Sequence, residues 1–151
     1  MIEGNYFSDN DDLMLHFDHI IRWNEVVEAY EADFFDARRY QETGDERFAM
    51  APSSKEEALD YYRSVLDSAG EFAGRKIAPH VQQLDQEGVR FENGKVHFPS
   101  RMLELVEEAR QAGLQPTGLA REYGGLGLPW TARAFFTEMM YRVDASVTIA
   151  I

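Results

Sequence analysis

The chain has 151 residues, no cysteine and a formal net charge of -12, enough for one domain with a real core. The acidic balance opposes phosphate backbones and anionic lipid, so no nucleic-acid partner is expected, and the lack of thiols excludes disulfides and thiolate metal sites. No apolar run is long enough to span a bilayer, and the first twenty residues lack the basic-then-apolar layout of a secretory signal, which points to a soluble, cytoplasmic protein.

In chain order, Met1 to about Asn10 reads as irregular. Asp11 and Asp12 precede an apolar stripe of Leu13, Phe17, Ile20, Ile21 and Val27, so the spacing predicts a helix with acidic residues at its N-terminal end. Asn24 is a candidate cap for a second short helix through Tyr30. The stretch 37–53, with Gly44, mixed charges and Ala51-Pro52, reads as a linker or an irregular surface wrap between a helical segment 1–36 and the segment 54–151. Ser53 and Ser54 stand three residues before Glu56 and Glu57, the spacing of a capping box. The helix they open carries Ala58, Tyr62, Val65, Leu66, Ala69, Phe72, Ala73 and Ile77 on one face, and Gly70 and Gly74 would let another helix approach closely. Pro79 should kink or restart it.

Val89–Glu92 and Lys95–Phe98 flank Asn93-Gly94, which predicts a hairpin with a type I′ turn. Pro99-Ser100 open a helix with Met102, Leu103, Val106, Ala109 and Ala112 inward, ended by Gly113. Residues 114–128 are loop-like. Thr131 is a candidate cap for a helix carrying Ala132, Phe135, Phe136, Met139, Met140 and Val143, and Asp144 or Ser146 starts one more. The sum is an all-α, up-and-down helical domain with one small hairpin at about 89–98.

Few residues point to chemistry on their own. His16 and His19 share a helix face, but no third ligand stands at motif spacing, so no metal site is expected. Asp9–Asp12 lacks the glycine and distal glutamate of a calcium loop and reads as a helix cap. The pairs Glu56-Glu57 and Glu107-Glu108 diverge by about 100° on a helix and cannot share a proton. Nothing around Glu138 singles it out as an acid or base. No serine sits in a nucleophile elbow and no glycine loop fits a phosphate-binding pattern.

The run Glu122-Tyr123-Gly124-Gly125-Leu126-Gly127-Leu128, the helix through Glu138, and Asp144-Ala145-Ser146 resemble the N-terminal helical domain of the acyl-CoA dehydrogenases. Lys76-Ile77-Ala78-Pro79, Leu84-Asp85, Gly88 and Ala112-Gly113-Leu114 agree in order, so the likeness covers about Lys55 to Ile151. Tyr6–Leu13, His16-Phe17-Asp18 and Trp23 resemble the N-terminal extension of the long-form members, a subgroup that includes enzymes acting on 3-methylmercaptopropionyl-CoA.

The resemblance implies an FAD-dependent enzyme built from this helical domain, a β-barrel domain and a C-terminal helical bundle. Such an enzyme dehydrogenates an acyl-CoA between Cα and Cβ: a glutamate takes the α-proton and flavin N5 takes the β-hydride. It also implies that the catalytic glutamate and the main flavin contacts lie beyond Ile151. No residue of this chain then takes a catalytic or cofactor-binding role, and the chain is expected to be inactive alone. The helix after Asp144-Ala145-Ser146 lines the substrate tail in such enzymes, which makes Val147, Thr148 and Ile149 the pocket candidates. Acyl-CoA, an electron acceptor, the later domains and other copies of the chain are the implied partners. The competing expectation is a stand-alone helical interaction module without catalysis, against which the apolar, uncapped run Val147–Ile151 argues.

Overall fold

A computed structural model describes residues 4–151; the first three residues of the expected irregular start lie outside the described residues. Asn10 opens the first helix, α1 (Asp11–Leu15), by accepting from the Leu13 amide at 3.3 Å, with Asp11 and Asp12 in the first turn. The helix widens into a π turn at His16–Ile20. The second, α2 (Trp23–Glu31), starts one residue ahead of the expected cap Asn24 and has no side-chain cap. Instead the Trp23 indole N–H donates to the Phe17 carbonyl at 2.6 Å, so burial of an aromatic ring fixes the entry.

Three consecutive residues with positive φ, Ala32, Asp33 and Phe34, turn the chain sharply into α3 (Phe35–Thr43), which Gly44 ends at φ 65°. The sequence reading of 37–53 as irregular is corrected here. Residues 37–43 are helical, and Glu46–Phe48 form a 3-10 turn that buries Phe48 completely. The mixed charges are the solvated side of a short helix; Ala37 is its inward anchor and Phe48 that of the turn behind it.

The longest helix, α4 (Lys55–Phe72), begins with the expected box. Ser54 Oγ accepts from the Glu57 amide at 3.2 Å, and Glu57 Oε2 accepts from the Ser53 amide and hydroxyl at 2.8 and 2.7 Å. Gly70 and Gly74 do serve a close approach, but the visitor is the N-terminal segment and not a helix. The Tyr6 amide donates to the Gly70 carbonyl at 3.0 Å, and a Cβ on Gly70 would stand 2.6 Å from the Phe7 amide nitrogen. Around Pro79 the helix passes through a π turn (Ala73–Ile77) and a 3-10 turn (Ala78–His80) before α5 (Val81–Glu87).

Strands β1 (Arg90–Glu92) and β2 (Lys95–His97) pair antiparallel, Phe91 opposite Val96, across Asn93 (φ 51°) and Gly94 (φ 76°). In α6 (Ser100–Gln111) the buried residues are Met102, Leu105 and Ala109, while Leu103 and Ala112 are exposed. The sequence reading set that face about one residue off, because both choices satisfy a helical period. Helix α7 (Trp130–Val143) starts behind Pro129, so Thr131 lies in its first turn and is not its cap. Asp144 caps the last helix, α8 (Ala145–Ala150), accepting from the Val147 amide at 3.0 Å.

The result is an all-α architecture with a single hairpin among the described residues. Helices α4 and α7 form its spine. Their shared core holds Tyr62, Leu66, Ala69, Met139 and Met140. Rings from the N-terminal segment enter the same core: Phe17 lies 5.7 Å and Trp23 6.2 Å from the Phe135 ring, and Phe7 lies 5.5 Å from Phe17.

Candidate functional site

Helix α8 and the ground around it carry the sequence-derived site. A cleft of about 620 Å³ opens between α5 with its 3-10 lead-in, the start of α6 and the start of α8. Its floor is apolar, from Val81, Leu84, Met102 and Val147; Gln82, Asp85, Asp144 and Ser146 supply the polar lining. The three pocket candidates separate around α8, because successive helical residues point about 100° apart. Val147 is fully buried and lines the cleft. Thr148 is half-buried and donates its hydroxyl to the Asp144 carbonyl at 2.6 Å. Ile149 stands 74 % exposed, away from the cleft lining.

The glycine loop is built for packing. Gly124 and Gly127 hold φ of 79° and 60°, and a Cβ on Gly125 would collide with the Leu119 carbonyl. Every amide from Gly124 to Leu128 donates to a carbonyl of residues 116–121, at 2.9 to 3.2 Å. None is left to cradle a phosphate. The Tyr61 hydroxyl pins the loop from α4 by donating to the Leu126 carbonyl at 2.7 Å.

Behind this loop sits a buried charge cluster that sequence reasoning missed. Arg121 meets Glu31 in a fork, Nη1 to Oε2 at 2.8 Å and Nη2 to Oε1 at 3.0 Å, and adds Asp36 at 3.3 Å and the Gly127 carbonyl at 3.3 Å. Tyr62 donates its hydroxyl to Glu31 Oε1. Burial alone would lower the Arg121 pKa, but the hydrogen bond and charge of Glu31 raise it, so the guanidinium stays ionised. Burial, followed by the bond to Glu31, pushes the Tyr62 hydroxyl well above its ordinary value, and burial raises Tyr61 in the same direction. The cluster joins α2 and α3 to the glycine loop and so fixes the loop, with the buried Arg121 Nε left without a hydrogen-bond partner. Arg121 stood in the motif run, but nothing in sequence ties it to a carboxylate ninety residues away.

His16 shares a cleft between α1 and α7 with Asp12 and Glu138, while His19 does not line it. Among the described residues no three His, Asp or Glu side chains converge as a metal set, and no helix is long and apolar enough to cross a membrane. Among the described residues, neither the cleft beside α8 nor the glycine loop fits FAD. The cleft beside α8 puts carboxylates of Asp85 and Asp144 where a pyrophosphate would need cations, no Lys or Arg lines it, and the glycine-loop amides are already paired.

Residues 60–151 match the family model of the acyl-CoA dehydrogenase N-terminal domain, and the chain belongs to that family. Its helical order, with the glycine loop leading into α7 and the Asp144-capped α8, is the part of the fold that this match covers. Over 88 residues the chain is 36% identical to a protein of Ruegeria pomeroyi named 3-methylmercaptopropionyl-CoA dehydrogenase. That match takes in 58% of this chain and 15% of the relative, so the chain corresponds to a small part of the relative's length. No solved structure matches it significantly.

Proposed function

We propose that this chain is the N-terminal part of an FAD-dependent acyl-CoA dehydrogenase that removes hydrogens from Cα and Cβ of an acyl-CoA thioester. The observation that carries this reading is the family match running unbroken from α4 to α8. The name of the Ruegeria relative, joined with the long-form resemblance of the first thirty residues, favours a small thioester substrate of that kind.

In this reading the chain supplies architecture and no catalytic group. Flavin belongs to later domains, in keeping with the poor fit of FAD to the residues here. An electron acceptor and further copies of the chain belong to the whole enzyme. The α8 segment Val147–Ile149 contributes one wall of the acyl pocket. Ile149 is the member with surface to offer; Thr148 and Val147 hold the helix against Asp144 and the core.

The test is flavin content and acyl-CoA-dependent bleaching of the flavin band, measured on this chain and on the full reading-frame product. The reading expects a colourless short chain and a yellow long product that bleaches. In that product, Ile149→Trp should shift the preferred acyl length towards shorter chains and leave the melting temperature of the short chain unchanged. A long product without flavin, or with flavin that ignores every acyl-CoA, removes the proposal and leaves the stand-alone interaction module.

A further inference from the structure

The hairpin has two unlike faces. Side chains alternate along a strand, and the register puts Phe91 opposite Val96; Val89 and Phe98 flank the two strands just outside the paired residues. All of these are apolar and exposed, Phe91 at 72 %. The other face carries Arg90 opposite His97 and Glu92 opposite Lys95. Antiparallel sheets normally bury their apolar face, and a lone two-stranded hairpin is marginal in water. Here the polar face is the one that needs no cover.

The apolar face does not stand apart from the cleft. Val89 belongs to both, and Pro99, directly after Phe98, lines the cleft with Met102. The joined surface combines this apolar ground with Asp85 and Asp144 in the cleft lining, and no cation is among the lining residues. Its complement is a segment that lays apolar side chains on the hairpin and brings a Lys or Arg to those carboxylates.

A second copy of the chain is a poor occupant. Each copy carries a net charge of -12. A hairpin face of this size offers on the order of a few hundred Å², against the ~1,200 Å² of a stable interface between separate chains. A small patch suffices when the occupant is tethered, because linkage supplies a high effective concentration. The relative that this chain matches over 15% of its length has ample further chain for that purpose.

We infer that the apolar hairpin face and the adjoining cleft form one docking surface for a later part of the same polypeptide, with a basic residue of that part seated at Asp85 and Asp144. The inference rests on the reading of the chain as the N-terminal part of a longer enzyme. The test uses the absence of native cysteine in these residues. Val96→Cys is introduced into this chain and into the full reading-frame product, and thiol labelling at that position is followed by peptide mass mapping. Labelling should be fast in the short chain and slowed about tenfold or more in the long one, since a covered thiol reacts only through opening. Asp85→Lys should lower the melting temperature of the long product and leave that of the short chain unchanged.

Equal labelling of both forms, in a long product that holds flavin and bleaches with acyl-CoA, overturns the docking surface and leaves the functional reading intact. Protection at Val96→Cys in a long product without flavin does the reverse. Protection without any effect of Asp85→Lys rejects the basic contact and keeps the apolar one.

Discussion

Arg121 is the residue on which most of the polar order depends. Its guanidinium is buried with Glu31 and holds α2, α3 and the glycine loop in one register. A buried pair is weak evidence of net stabilisation, because desolvation offsets much of the attraction. Removing one partner is another matter, since the survivor is left as an uncompensated buried charge. Arg121→Met should therefore cost ~3–5 kcal/mol in urea denaturation, and pairing it with Glu31→Gln should recover part of that loss. A cost under ~1 kcal/mol for the single variant would mean that water reaches Glu31 and that the cluster is not closed. The same site sets an alkaline limit. The folded state keeps the Tyr62 proton to higher pH than an unfolded chain does, through burial and the bond to Glu31. Its contribution is complete below the ordinary tyrosine value of about 10 and is lost as pH rises above it. Stability should then fall by up to ~1.4 kcal/mol per pH unit from this one group. Urea midpoints measured from pH 9 to 11 should decline less steeply in Tyr62→Phe; parallel slopes in the two proteins would sink the assignment.

Among the elements, α8 is short and capped by one side chain. It has six residues, too few to persist alone in water, and Asp144 satisfies its Val147 amide. Asp144→Ala should cost about 1 kcal/mol, felt first as faster hydrogen exchange at Val147 and Thr148 with α4 unchanged. Uniform acceleration over both helices would show that α8 does not open separately. Such caps were legible in the sequence because they are local. Ser54 with Glu57, Asp144 with Val147 and the Asn93-Gly94 turn all act within a few residues. The apolar stripes of α4 and α7 were legible for the same reason. What escaped was long-range or finely phased. The face of α6 turned on Leu105 against Leu103, two residues and about 200° apart around the helix, a choice that composition cannot settle. The π turns follow from no residue pattern. The pocket candidates came from family likeness alone; the helical period separates Val147 from Ile149, and the structure shows which of the two faces the cleft.

At the scale of the whole molecule, the question is whether the N-terminal segment is an appendage or part of the fold. Sequence placed a boundary at 37–53, and the family match begins at residue 60. Yet Phe7, Phe17 and Trp23 are buried in one cluster with Tyr62 and Phe135, and Glu31 closes the charge cluster of Arg121. Gly70 records the same dependence from the other side, since its bare α-carbon admits the Asn5 side chain and Phe7 against α4. Each large ring contributes ~1.5–3 kcal/mol by burial, and a Phe-to-Ala change with its cavity costs ~3–5 kcal/mol. Removing three rings and a charge partner together matches or exceeds the ~5–15 kcal/mol that a domain of ordinary stability has in total. We therefore predict that residues 54–151 alone do not fold cooperatively. Their near-UV circular dichroism should be flat and their thermal transition broad, while the full 151 residues melt in one step. Adding residues 1–48 as a separate chain should restore part of the aromatic signal, because the lost surface is complementary and not covalent in origin. A sharp transition in the isolated segment, at the melting temperature of the full chain, would make the first fifty residues a true appendage. It would also require that Phe135 and Arg121 find other cover in their absence.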